Sequence, residues 1–252
     1  METKIVGKKR IFLPEVDSTN SYAIKLLKNV KLEEGTLVFT DYQTQGRGQR
    51  GMVWNAEPAS NLIFSFILKP SFLSPENYYY LYKIAALACY DTLAKIIDTS
   101  QFDIKIKWPN DILVNQQKIG GILIENSFSE NKLQWSIVGV GINVNQKMAA
   151  SGFNAVSMID LNGLEADRNL IMDSFCEIFE AYYTQLMHAD FEKMDALYFS
   201  HLLGTNEWCK VLYKGKEMRI KVARIHSNGL MVMVNEQAQE FEIDVKDITW
   251  FL

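Results

Sequence analysis

The chain has 252 residues, 48% hydrophobic and 22% charged, which suits a water-soluble globular fold of one large domain or a main domain with a small appendage. A formal net charge of -4 argues against an extended nucleic-acid-binding surface, so any positive charge that does chemistry must be local. Cys89, Cys176 and Cys209 are far apart in apolar surroundings and read as thiols of a reducing compartment, and His188, His201 and His226 lack metal-ligand spacing.

The N-terminus, METKIVGKKRIF, lacks the apolar core of a signal peptide, and no run approaches the length of a membrane span. The expectation is a cytoplasmic protein that engages neither membrane nor nucleic acid. Ile11 to Val16 reads as a short extended run broken by Pro14, and Asp17 to Asn20 precede a helical pattern with Ala23, Ile24, Leu26 and Leu27 apolar. Capping that helix is the simplest role for Ser18 or Thr19. Residues 36 to 40, TLVFT, read as a buried strand, and so do residues 61 to 69, NLIFSFILK.

Between those strands lies QTQGRGQRGMVW, residues 43 to 54, with Gly46, Gly48, Gly51, Arg47 and Arg50 inside six residues. Glycine lets backbone approach a ligand closely, and arginine offers a planar fork of donors for phosphate or carboxylate. The combination reads as an anion-binding loop or as a mobile surface connection; context has to decide.

Pro75 opens a long helical pattern, with Leu81, Ile84, Ala85, Ala88, Leu93, Ile96 and Ile97 on one face and Lys83, Asp91 and Lys95 off it. Its tyrosines, Tyr78, Tyr79, Tyr80 and Tyr82, read as packing groups. Ile104 and Ile106 alternate with Lys105 and Lys107 and lead into Trp108, Pro109, Asn110 and Asp111. Strands at 112 to 114 and 119 to 125 flank a turn at Asn115 to Gln117, and LQWSIVGVGINV, 133 to 144, is a further strand. Residues 145 to 167 are weakly patterned and read as a loop with a short helix. Residues 170 to 187 and 191 to 203 read as helices, and beyond Gly204 five short strands follow one another with turns at Lys214-Gly215 and Asn228-Gly229. About 47 residues make little core alone, so a small barrel packed on the main domain is expected. The domains are accordingly placed at 1–204 and 205–252.

Three clusters sit at strand edges: the glycine and arginine loop, KWPND at 107 to 111 followed by Lys118-Ile119-Gly120-Gly121, and GVGINVN at 139 to 145. A site joining a carboxylate to a nucleotide must hold two anions together, and at ~4 Å with an effective dielectric near 20 each like-charged pair costs about 4 kcal/mol. Arg47, Arg50, Lys107 and Lys118 are the cations available to offset that, with Asp111 as an oxygen ligand for Mg²⁺.

Taken together, VDSTN, YQTQGRGQRGMVW, KWPND, KIGGILIE and GVGINVN, in that order from Val16 to Asn145, resemble the biotin protein ligases, and the β-rich tail fits that family's SH3-like C-terminal domain. The resemblance implies an α+β fold, a mixed sheet with packed helices like that of class II aminoacyl-tRNA synthetases. It also implies a two-step reaction. Biotin and MgATP give biotinyl-5′-adenylate and pyrophosphate, and the acyl group passes to one lysine of a biotin carboxyl carrier domain.

The resemblance further implies that Ser18, Thr19, Asn20 and Gln43 contact biotin, with Gly46, Arg47 and Lys118 beside them and Gly120 and Gly121 as the pocket floor. Arg47, Gly48, Arg50, Trp54, Lys107, Asn110, Asp111, Lys118 and Asn143 would face ATP or the adenylate. Lys118, Arg47 and Asp111 would carry the chemistry, with Asp111 near the metal. Two departures from the family pattern are Gln49, where many members have arginine, and the short stretch before Ser18, which implies a form without the N-terminal DNA-binding domain of regulatory members. Gln49 removes one cation from the loop and implies weaker retention of the adenylate unless Arg50 substitutes. Lipoate or octanoyl transfer is the rival enzymatic reading, a non-catalytic biotin sensor or carrier-binding module the rival of another class. The oligomeric state, monomer or homodimer, is left open.

Overall fold

A computed structural model describes residues 3–130, 132–148 and 152–252. The main sheet has seven strands: β1 (Arg10–Val16), β2 (Leu37–Gln43), β3 (Leu62–Leu68), β4 (Ile104–Lys107), β5 (Asp111–Val114), β6 (Gln117–Ser129) and β7 (Lys132–Ile142). Their order is β1-β2-β3-β7-β6-β5-β4, with β1 parallel to β2 and every other pair antiparallel. The sheet is therefore mixed, as expected. Asn115 and Gln116 both have positive φ, 47° and 66°, the backbone that a two-residue hairpin between β5 and β6 requires.

Side chains alternate across this sheet, and the two faces receive different helices. On one face Phe64 and Phe66 of β3 meet Phe175 and Phe179 of α4 (Arg168–Met187), with ring centroids 5.1 Å apart for Phe64 and Phe175 and 4.7 Å for Phe66 and Phe179. The helices α2 (Tyr80–Ala94) and α5 (Phe191–His201) complete that layer. On the other face α1 (Thr19–Asn29) sets Ala23 against Val38, Ile67 and Ile137. It covers only part of its face, and the uncovered part is the site.

Helix α2 starts at Tyr80, after a 3-10 turn at Pro75–Asn77, and ends at Ala94, before Ile96 and Ile97. Lys83 departs from its expected place off the apolar face. Its side chain is 1% exposed, and its Nζ lies 2.6 Å from Asp195 Oδ1 and 4.4 Å from the centre of the Tyr80 ring. The cause is α5, which brings Asp195 over a face that helical periodicity alone leaves to solvent. In the weakly patterned stretch, α3 (Met158–Asn162) is delimited by a capping box of Ser157 and Asp160 and by Gly163 at φ 72°. Part of that stretch, residues 149–151, lies outside the described residues.

The five C-terminal strands are β8 (Cys209–Tyr213), β9 (Lys216–Ile225), β10 (Met231–Asn235), β11 (Glu240–Ile243) and β12 (Ile248–Trp250), in the order β11-β10-β9-β8-β12. All their pairs are antiparallel. Among the described residues no ladder joins β11 to β12, so the hydrogen bonds define a five-stranded sheet with two edges. Trp108 docks it on the main sheet: its ring is buried, and Nε1 donates to the Gly229 carbonyl at 2.9 Å. Among the described residues no helix is long and apolar enough to cross a membrane.

Candidate active site

The floor of the site is made by glycines in register. On the face shared with α1, Ser65 pairs with Gly139 and Gly139 with Leu123, while Ile63 pairs with Gly141 and Gly141 with Gly121. One row thus lacks side chains on both β6 and β7 and the adjoining row lacks one on β7, which leaves a shallow trough in an otherwise packed sheet. The trough forms the base of a cleft of about 470 Å³. Its walls are the start of α1, the loop between β2 and β3, the KWPND turn and the β12 edge of the second sheet.

The polar end is built by a chain of hydrogen bonds. Gln43 Oε1 accepts from Thr19 N at 2.8 Å and from Thr19 Oγ1 at 3.1 Å. Ser65 Oγ lies 2.7 Å from Thr19 Oγ1 and 2.6 Å from Asn20 Oδ1, and Asn20 Nδ2 donates to Glu125 Oε2 at 2.8 Å. Ser18 occupies the N-cap position of α1 but makes no capping bond with its side chain. It lines the cleft instead, so the capping role does not describe it. Buried polar groups that hold one another this way cost little to keep and fix the shape of what they surround.

The opposite wall carries the charge. Asp111 Oδ1 lies 2.6 Å from Lys118 Nζ and its Oδ2 lies 3.0 Å from Lys107 Nζ. Lys107 and Asp111 are directly paired across the β4–β5 hairpin, and Lys118 stands on the neighbouring β6. Burial works to raise the Asp111 carboxyl, but the ammonium groups of Lys118 and Lys107 outweigh it and hold the group below the ordinary carboxylate value. The local excess is one positive charge facing the cleft. Among the described residues no group of three His, Cys, Asp or Glu is placed to hold a metal, and both Asp111 oxygens are taken by ammonium groups. That donor set does not make a resident metal site. It suits an ion that arrives already liganded by phosphates and water.

The loop closes over the trough as a small ladder of its own, with Gly48 N bonded to Met52 O and Trp54 N to Gly46 O. A β-carbon at position 46 would fall 2.2 Å from the Trp54 carbonyl oxygen, so only glycine allows this closure. Arg50 turns the loop with φ 56°. Two ion pairs tie the loop to its surroundings: Arg47 Nη2 to Glu125 Oε2 and Arg50 Nη2 to Asp244 Oδ1, each 2.8 Å. Arg50 is thus engaged through one guanidinium nitrogen by the connection between β11 and β12. The Trp54 ring lies on the trough, with Lys118 Nζ 5.7 Å from the ring centre.

Of the residues expected here, Ser18, Thr19, Asn20, Gln43, Arg47, Gly48, Arg50, Trp54, Lys107, Asn110, Asp111, Lys118 and Gly121 line one cleft. Gly46 shapes the loop from its outer side. Gly120 and Asn143 do not line that cleft. Alternation along β6 turns Gly120 away from the trough, toward Ile112 and Ile142. Asn143 is buried and spends its Nδ2 on the carbonyls of Val156 and Lys118, so it pins the 154–158 segment beneath β6. Ser65 and Glu125 carry no expected role from sequence, although each is a polar interruption of an apolar strand. Asp244 and the Val245, Ile248 and Trp250 lining could not be found from local pattern, because the second sheet supplies them from about 190 residues away along the chain.

A sequence profile of the biotin/lipoate A/B protein ligase family matches residues 12–143. The bifunctional ligase/repressor BirA of Bacillus subtilis strain 168 is 31% identical over 210 residues, which are 81% of this chain and 62% of that protein. The biotin-[acetyl-CoA-carboxylase] ligase of Paracoccus denitrificans is 38% identical over 134 residues, 52% of this chain and 53% of that one. The solved structure of biotin protein ligase from Aquifex aeolicus in complex with biotin and ATP superposes with a TM-score of 0.77 at 28% identity, covering 97% of this chain and 99% of that one. The chain spans 62% of the length of the first curated relatives that it matches. The profile covers more than half of the chain and takes in the cleft's floor, its polar end, its charged wall and its loop, and the chain belongs to the biotin/lipoate A/B protein ligase family.

Proposed function

We propose that the protein is an ATP-dependent biotin protein ligase, which makes biotinyl-5′-adenylate and passes biotin to a lysine of a biotin carboxyl carrier protein. What supports this most is the placement of Lys118. It stands beside the glycine trough, on a carboxylate shared with Lys107, and under a loop that brings Arg47 and Trp54 over the same cleft. The Aquifex relative, similar over nearly its whole length, is described in complex with biotin and ATP.

In this mechanism the neutral ureido ring of biotin meets Ser18, Thr19 and Gln43, since a buried polar group left unpaired costs about 1–3 kcal/mol. Asn20 has both ends of its amide engaged, so it shapes the pocket wall. The valeryl carboxylate attacks the α-phosphorus of ATP, the bond to the β-phosphate oxygen breaks, and pyrophosphate leaves. Lys118, Lys107 and Arg47 offset the repulsion between carboxylate and phosphates, with Lys118 exchanging Asp111 for the reacting anions. Magnesium enters as MgATP, on phosphate oxygens and water. The loop then excludes water from the reactive mixed anhydride. In the second step the neutral amine of the carrier lysine attacks the acyl carbon, the acyl-oxygen bond to AMP breaks, and the amine's proton is lost. Residues 1–204 would form the catalytic unit and 205–252 an appended unit that supplies part of the cleft wall, the whole acting in the cytoplasm.

Mass spectrometry of a biotin carboxyl carrier domain incubated with the protein, biotin and MgATP is the test. A gain of one biotinyl group on a single lysine is expected. Pyrophosphate release with lipoate in place of biotin, and not with biotin, would move the assignment to lipoate ligation. Release with neither would make the protein a binder.

A further inference from the structure

Glu125 stands between the biotin end of the cleft and the loop, and it touches both. Its Oε2 accepts from Asn20 Nδ2 and from Arg47 Nη2, each at 2.8 Å. Below it the support is rigid: Glu125 is paired with Ile137 in the β6–β7 ladder, and Asn20 is 3% exposed and held by Ser65. A β-carbon at Gly139 would fall 2.3 Å from Asn20 Oδ1, so the amide lies directly on the sheet and has no room to shift. Above it, Arg47 belongs to a loop whose backbone bonds from Gly46 to Trp54 are made within the loop itself. The Glu125 carboxylate therefore joins a cation of the loop to the sheet and α1.

The contact uses one nitrogen of the guanidinium. Among the described residues Nε and Nη1 of Arg47 have no hydrogen-bonding partner, and a guanidinium carries five N–H donors in a planar fork. We propose that Glu125 is the positioning residue for Arg47: it holds the guanidinium at the cleft by one edge and leaves the other edge to meet the anionic oxygens of the adenylate. The identity of that anion rests on the ligase reading above; the clamp itself does not.

The test is a double-mutant cycle between Glu125 and Arg47, with release of biotinyl-adenylate and the KM for ATP as readouts. Glu125→Ala is expected to speed release about ten-fold and raise KM for ATP by a similar factor, with kcat within about two-fold. In an Arg47→Ala background the same substitution should add less than about two-fold to adenylate release and KM for ATP, because its route to the phosphates through Arg47 is gone. Glu125→Gln, which preserves the strand and both hydrogen bonds, should show the same pattern at about three-fold if Glu125→Ala folds poorly. An effect of undiminished size in the Arg47→Ala background would overturn the proposal. Trypsin supplies a readout without substrates: cleavage after Arg47 and Arg50 should be several-fold faster in Glu125→Ala at unchanged Tm, and equal cleavage would also overturn it. Wild-type protein that forms no adenylate would count against the ligase reading alone, and the trypsin comparison would then decide the clamp.

Discussion

The Trp54 indole lies over the backbone of Gly141, so close that a β-carbon there would fall 2.6 Å from its Cε2 and Cζ2 atoms. Its Nε1 is buried with no hydrogen-bonding partner among the described residues, a deficit worth about 1–3 kcal/mol. The ring thus depends on the bare trough for its place, and a ligand acceptor near Nε1 would improve its position. Gly141→Ala should push the indole out and lower kcat/KM for adenylate formation by at least about ten-fold, the loss expected from misplacing a wall of the site. Fluorescence checks the cause. The Trp54 contribution, taken as the difference from a Trp54→Phe variant, should shift to the red in Gly141→Ala, and an unshifted spectrum would separate the loss of activity from the ring.

Lys118 and Asp111 should respond differently to substitution. Lys118→Ala removes the cation aimed at the reacting anions, and pyrophosphate release should fall about 10²- to 10³-fold, while Asp111 keeps Lys107 as its partner. Asp111→Asn leaves two ammonium groups 2.6 and 3.0 Å from a neutral amide and should lower stability as well as activity. The pH dependence follows from the sign of the shift. The folded carboxyl titrates below its unfolded value, so its contribution to stability is complete above the unfolded pKa near 3.9 and is lost as pH falls through the folded one. Acid unfolding followed by circular dichroism should therefore show a shallower acid limb in Asp111→Asn, and an identical limb would mean that Asp111 is not stabilised by its lysines.

Gln49 sits in the short 3-10 turn of the loop and lines the cleft. Arg47 and Arg50 are each held by a carboxylate through one guanidinium nitrogen, Arg47 by Glu125 and Arg50 by Asp244, and position 49 adds no third cation to the loop. Gln49→Arg should add that third cation and slow release of biotinyl-adenylate about three- to ten-fold in a filter-retention assay, the worth of one charge-assisted hydrogen bond in a partly exposed site. Equal release rates would show that the loop retains its product by closure and not by charge.

Much of this site was legible because its signals are local. Strands β2, β3, β6 and β7 announce themselves by apolar runs, and the loop by glycines and arginines between two of them. The period of two along β6 already implies that Gly120 and Gly121 cannot both face one ligand. Asn143 is a different case: an amide buried at a strand end serves backbone carbonyls or a ligand equally well, and here its Nδ2 meets the carbonyls of Lys118 and Val156. Lys83 shows the same limit on a helix, where charge off the apolar stripe signals solvent until a distant element, here α5 with Asp195, covers it.

The Arg50–Asp244 pair, 194 residues apart in sequence, makes the second sheet part of the site. Both side chains are more than two-fifths exposed, so the pair adds little to stability, on the order of 0–1 kcal/mol. Its effect should instead be on the loop. Asp244→Asn is expected to raise the adenylate release rate about two- to three-fold at low ionic strength, leave Tm within about a degree, and match wild type near 0.5 M salt, where the charges are screened beyond a few ångströms. Arg50→Gln should reproduce the low-salt change, and the double variant should add nothing to either. A release rate that ignores both salt and Asp244 would leave the second sheet as a wall of the cleft with no hold on the loop that closes it.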